Sequence, residues 1–280
     1  MIEFEGNTYR IVDSHTHWSN LLSRITKPFF TNGFVMPEII EILEKSLSNI
    51  KKQTNNRRER NMVLFLQTLD WYGIDKAILL PIFNIDISFS TQLQAKFPEK
   101  VIGFGFLNPI DKKIDTLYDS MHKTKNKLKG FKLHAEFSKF NPTIHRNQFE
   151  KCFNFLQEEK LIALFHTGSH FNINELYPIL KQFPAVKVIL GHSGLAPQIE
   201  QAIECAHCFS NVYLELSGQP YSYLIKKAIK DPNIGIERIL YGSDLPSLHP
   251  TVEQMKVLSL PISESEKQMI FAENIERLIK

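Results

Sequence analysis

Arg10-Ile11-Val12-Asp13-Ser14-His15-Thr16-His17 begins as an apolar strand and ends on two imidazoles. A doubly wound open sheet would carry a glycine-rich phosphate loop after its first strand. His-Thr-His stands there instead. Residues i and i+2 of a strand project from the same face, so His15 and His17 share one side. Two imidazoles on one face suit a zinc-like divalent ion far better than an apolar core.

Seven further apolar runs follow: Lys76–Ile82, Val101–Leu107, Gly130–His134, Leu161–His166, Lys187–Gly191, Asn211–Leu216 and Arg238–Gly242. They are rich in Val, Ile, Leu and Phe and poor in charge, as parallel strands covered on both faces should be. Amphipathic stretches lie between them: Pro37–Ser48, Asn61–Tyr72, Ile87–Phe97, Ile114–Lys127, Gln148–Glu159, Asn174–Phe183, Gln198–Phe209 and Tyr221–Lys230, with Glu264–Lys280 closing the chain. This alternation predicts an α/β fold, a single (β/α)8 TIM-like barrel domain over residues 1–280. Trp18–Met36 breaks the rhythm directly after the first strand, with Pro28 and the pair Phe29–Phe30. In a barrel this loop overhangs the mouth where substrates bind, so 18–36 is expected to be an active-site loop with Trp18 as a substrate contact.

Three more polar residues fall at strand ends. His166 closes Leu161–His166, His192 follows Lys187–Gly191, and Asp244 follows Gly242-Ser243. Barrel enzymes build their active sites on the C-terminal ends of the strands, so these residues and the His15–His17 pair are expected to converge. Lys132 and His134 share one face of the fourth strand and read as substrate contacts, Lys132 for a carboxylate or phosphate. Glu215 points away from its neighbours Leu214 and Leu216, either as support behind the site or as a structural ion pair.

In this order and spacing the chain resembles the amidohydrolase superfamily. Within it, the likeness is to the amidohydrolase-related branch that includes aminocarboxymuconate-semialdehyde decarboxylase-like and lactonase-like metal-dependent enzymes. The resemblance runs from Val12-Asp13-Ser14-His15 to Ala272-Glu273-Asn274. It includes Gly130-Phe131-Lys132-Leu133-His134, Gly191-His192-Ser193-Gly194 and Tyr241-Gly242-Ser243-Asp244. It implies one divalent metal held by His15, His17, His166 and Asp244, with zinc expected first and manganese or iron as alternatives. It also implies that His192 and Asp244 act on a water at that metal, since a divalent cation lowers the pKa of bound water to about 7. Some members of the superfamily carboxylate a lysine at the place of Lys132 and bridge two metals, but one metal is the expectation for this branch. The resemblance implies a metal-dependent hydrolase of a small-molecule amide, ester or lactone. The alternative is a non-oxidative decarboxylase of an aromatic or unsaturated acid, and a homodimer is a family-level expectation.

Composition narrows the field. The 280 residues are 43% hydrophobic and 22% charged with a net charge of +3, which is globular rather than disordered. The basic cluster Lys51, Lys52, Arg57, Arg58 and Arg60 is interrupted by Asn55, Asn56 and Glu59, so it reads as solvated surface rather than a nucleic-acid contact. Glu3 and Glu5 stand where a secretory signal needs basic and apolar residues, and no apolar run approaches the roughly 20 residues that span a bilayer. A cytoplasmic protein without membrane contact is expected. Cys152, Cys205 and Cys208 are too few for a disulfide framework.

Overall fold

The computed structural model describes residues 1–18, 56–81, 87–124, 128–168 and 171–280. A hairpin comes first, β1 (Ile2–Phe4) against β2 (Asn7–Tyr9), turning at Glu5 and Gly6 with φ of 48° and 78°. Three-residue strands carry too little periodicity to be read from sequence, so this element was not anticipated. Tyr9 seats the hairpin, its ring centroid 5.6 Å from that of Phe271.

Among the described residues, eight strands form one sheet in chain order. They are β3 (Val12–His17), β4 (Lys76–Leu80), β5 (Val101–Leu107), β6 (Gly130–Leu133), β7 (Ile162–His166), β8 (Val188–Gly191), β9 (Val212–Glu215) and β10 (Ile239–Leu240). Each pairs in parallel with the next, and helices lie between them. This is the nearly closed barrel that the eight apolar runs predicted, with strand ends displaced by one or two residues. Alternation sorts the side chains. Ile78, Leu80, Ile102, Phe104, Ile162, Leu164 and Ile189 form an inner cluster, joined by Ala272 and Ile275. Their neighbours Ala77, Leu79, Phe131, Ala163 and Leu190 pack in the larger cluster that also holds the helices.

The seam between β10 and β3 differs from the other junctions. β10 is two residues long, and beyond it the backbone runs beside β3 on separate hydrogen bonds. Ser14 N–H donates to Tyr241 O (3.1 Å), Asp244 N–H to His15 O (2.7 Å) and His17 N–H to Leu245 O (2.6 Å). Asp13 fastens both sides: its Oδ1 accepts from the N–H of His15 and of Ser243, each at 3.0 Å. The seam therefore sets Asp244 directly against the His15–His17 strand.

Two helical features differ from the sequence reading. Pro250–Leu258 is a helix outside the amphipathic stretches expected from sequence, although Pro250 at its first position is a known start signal. The closing helix is broken by a π-helical turn at Met269–Glu273, between Glu264–Gln268 and Asn274–Leu278. Asn274 ties this end to the barrel, donating to Ile236 O (2.8 Å) and Ile239 O (2.9 Å). The stretch Pro37–Ser48 and residues 19–36 lie outside the described residues. Among the described residues, no helix is long and apolar enough to cross a membrane.

Candidate metal centre

His15 and His17 sit at the end of β3 with their Nε2 atoms 3.1 Å apart. Asp244 Oδ1 lies 3.1 Å from His17 Nε2 and 3.5 Å from His15 Nε2. The partners of the other ring nitrogens indicate which end carries the proton. His17 Nδ1 faces the carbonyl of Leu80 at 3.1 Å, and a carbonyl only accepts, so Nδ1 is protonated and Nε2 keeps its lone pair. His15 Nδ1 faces Glu215 Oε2 at 2.6 Å, which gives the same result for an ionised carboxylate. Two lone pairs thus point at each other, an arrangement that is favourable only with a cation between them. A cationic side chain does lie there: Lys132 Nζ on β6 donates to His15 Nε2 (2.9 Å) and His17 Nε2 (2.8 Å).

A divalent ion fits this donor set. Ligand atoms at about 2.0–2.1 Å from a tetrahedral zinc lie about 3.3 Å from one another, close to the separations among His15, His17 and Asp244. Their ligand atoms all fall within 4.8 Å of each other, so these three residues can hold a metal.

The opposite side of the mouth is built from β6, β7 and β8. His192 Nδ1 lies 3.2 Å from Ser217 O, so it too carries its proton at Nδ1. Its Nε2 lone pair faces His166 Nδ1 at 3.1 Å, which makes His166 the donor and leaves the His166 lone pair at Nε2. His134 is the exception: its Nδ1 accepts the N–H of Phe137 (3.3 Å) as the cap of the short helix Ala135–Ser138. The His134 ring stacks on His166 (centroids 3.9 Å, 11°) and on Phe137 (3.8 Å, 18°). His192 and Asp244 hold left-handed backbone, φ 67° and 53°, conformations that for such residues cost on the order of 1–3 kcal/mol and cluster at functional sites.

Electrostatics follow from burial around one ammonium. Burial, then Lys132, pushes His15 well below the usual imidazole range. Burial brings His192 down to about 4, against the pull of Asp244, and brings Lys132 down to about 8, against Asp244 and Glu215. For Asp244, burial acts upward, but the neighbouring His17, His192 and Lys132 outweigh it and hold the carboxyl below its usual value. Burial, with a smaller push from Asp244, raises Glu215 to about 8, opposed by hydrogen bonds from His192 and Ser217. The site therefore offers neutral imidazoles and an ionised aspartate around a cation position.

The structure brings His15, His17, Lys132, His134, His166, His192 and Asp244 to one mouth. His166 reaches it through His192 and does not belong to the closest ligand triad. Trp18 is 1% exposed and packs on Phe65 (ring centroids 5.3 Å). Phe29 and Phe30, in the expected active-site loop, lie outside the described residues. Ser217 and Gly242 are functional neighbours that the sequence reading passed over. Ser217 Oγ contacts His192 Nδ1 (2.9 Å) and Glu215 Oε2 (2.8 Å). A glycine just before Ser243-Asp244 was the available signal at 242.

Similarity to known proteins agrees with this geometry. The amidohydrolase family model matches residues 12–280. No curated protein matches the sequence. Among solved structures, an uncharacterized TIM-barrel protein of Bordetella bronchiseptica is similar at 15% identity and TM-score 0.71, over 96% of this chain and 98% of that one. The 5-carboxyvanillate decarboxylase of Novosphingobium aromaticivorans, solved with manganese and 4-hydroxy-3-methoxy-5-nitrobenzoic acid, is similar at 15% identity and TM-score 0.64, over 97% and 96%. A dihydroxybenzoic acid decarboxylase of Polaromonas sp. JS666, with manganese and 2-nitroresorcinol, gives 16% and 0.66, over 97% of each chain. At such identities these likenesses establish the barrel fold, and the family match adds kinship: the chain belongs to the amidohydrolase family.

Proposed function

We propose that the chain is a metal-dependent carboxy-lyase that releases carbon dioxide from a small aromatic or unsaturated carboxylic acid. The observation that carries this reading is Lys132, an ammonium only 3% exposed at the floor of the site, beside the two imidazoles. A buried cation next to a metal site suits an anionic substrate, and a carboxylate gains most from such a partner. The stacked rings of Phe137, His134 and His166 offer a flat face to a planar group. The two decarboxylases of similar fold support the same choice.

A divalent ion held by His15, His17 and Asp244, with His166 alongside, would orient and polarise the substrate's oxygens. Lys132 Nζ holds a carboxylate or hydroxyl oxygen. The neutral Nε2 of His192 takes a proton from a substrate hydroxyl and returns it to the ring carbon. The bond between that carbon and the carboxylate breaks, its electron pair receives the proton, and carbon dioxide departs, with one solvent proton consumed overall. The donor set suits zinc and manganese alike, and both are carried into the test. The same reading takes residues 1–280 as one cytoplasmic domain acting on a small molecule, with no nucleic-acid partner.

A second reading, hydrolysis of an amide, ester or lactone, is favoured by Asp244. Its carboxylate is ionised and 13% exposed at the mouth, so it can take a proton from water. One experiment separates the two. Protein loaded with zinc or manganese is offered dihydroxybenzoate-type acids and lactones in labelled water. Carbon dioxide release without solvent oxygen in the product supports the lyase; solvent oxygen in the product with no carbon dioxide replaces it with the hydrolase.

A further inference from the structure

Glu215 lies at the end of β9, fully buried, with its carboxylate hydrogen-bonded to residues of the site. Its Oε2 accepts from His15 Nδ1 (2.6 Å), from the backbone N–H of His192 (3.0 Å) and from Ser217 Oγ (2.8 Å). Its Oε1 accepts the N–H of Ser217 (2.5 Å). Ser217 in turn receives the Nδ1–H of His192 on its carbonyl. Gly242 leaves room for this carboxylate: a Cβ there would overlap Glu215 Oε1 and lie 2.8 Å from His15 Cβ.

We propose that Glu215 is a positioning residue that holds His15 and His192 together, fixing the proton of His15 on Nδ1 and the backbone and aim of His192. The proposal rests on the metal reading above and extends it. His15, His192 and Glu215 also lie close enough to be read as a second cation site. The hydrogen bonds favour the positioning role, because the His15 atom facing Glu215 carries a proton and the carboxylate already receives four donors. A carboxylate behind a ligating histidine orients the ring and raises its basicity, and losing such a partner typically weakens metal binding 10–100-fold. The same side chain sets the direction from which His192 reaches the substrate, so ligand and proton carrier cannot be loosened separately.

The test has two readouts. In the metal-free protein, nitrogen-15 NMR reads the imidazole tautomers. Zinc affinity and stoichiometry are then measured by competition with a chromophoric chelator. Expected are Nδ1–H tautomers for His15 and His192, one zinc per chain, a mixed tautomer for His15 in Glu215→Gln, and zinc affinity lowered about 10–100-fold in that variant. If Glu215→Gln does not fold, Glu215→Asp, which keeps the charge but withdraws it from His15, should show the same tautomer change with a smaller loss. A variant that keeps the parent tautomer and binds zinc within twofold of the parent overturns the proposal, as does a second zinc lost on replacing Glu215. A parent chain that binds no zinc refutes the metal reading instead, and the tautomer readout still decides the role of Glu215.

Discussion

The mouth of the barrel has two unlike sides. On the side of β3, β9 and the seam, His15 and His17 are matched with carboxylates, Asp244 in front and Glu215 behind. On the side of β6, β7 and β8, His134, His166 and His192 are matched mainly with one another, through stacking and a ring-to-ring hydrogen bond. Histidine is therefore used in two ways within one cluster. Backed by carboxylates, it is placed where it could hold a cation; stacked on its own kind and kept neutral by burial, it forms a flat wall and a source of lone pairs.

The division is broken most severely by attacking the cation side. His15→Ala should lower zinc affinity by at least about 100-fold, read by chelator competition, because it removes one ligand and leaves Lys132 and Glu215 without a shared partner. Gly242→Ala should destabilise the fold by about 1–3 kcal/mol in denaturant unfolding, since its methyl meets Glu215 and the backbone-anchored Cβ of His15. On the stacked side the expectation is reversed. Phe137→Ala should leave zinc affinity unchanged and raise KM for an aromatic acid about 3–10-fold, the value of an aromatic pair of roughly 0.5–1.5 kcal/mol. Equal effects of Phe137→Ala and His15→Ala on metal affinity would show that the two sides are not distinct.

The smallest effect belongs to the far end of β3, away from the mouth. Arg10 pairs with Glu276 through both of its terminal nitrogens, and that hydrogen bond holds Glu276 below its usual value of 4.5. A carboxyl lowered on folding adds stability that is present above pH 4.5 and lost as pH falls through the lowered value. Glu276→Gln should therefore cost less than about 1 kcal/mol at neutral pH, since the pair is largely exposed, and nothing once both forms are protonated. Unfolding curves at the two pH values check the sign.

Much of this was legible in the chain. The eight apolar runs matched the eight strands to within one or two residues because strands covered on both faces are rich in apolar residues. His15 and His17 were assigned to one face by the two-residue period alone, and their Nε2 atoms meet at 3.1 Å. Trp18 was assigned to the mouth by its position alone, and only the structure shows that its ring packs on Phe65. The hairpin at residues 2–9 was too short to leave a pattern, and the helix Pro250–Leu258 left only its proline.

Sequence by itself determined the barrel, its strand order and the residue types that gather at its mouth, because periodicity and residue type are local properties of the chain. Tertiary structure alone decided the pairings. The Asp13 clasp sets Asp244 against a strand some 230 positions earlier, the absent Cβ of Gly242 makes room for Glu215, and the fold chooses which nitrogen of each imidazole is left bare. Hydrogen bonds and close contacts have a reach of a few ångströms, and only the closed barrel brings such distant residues within it.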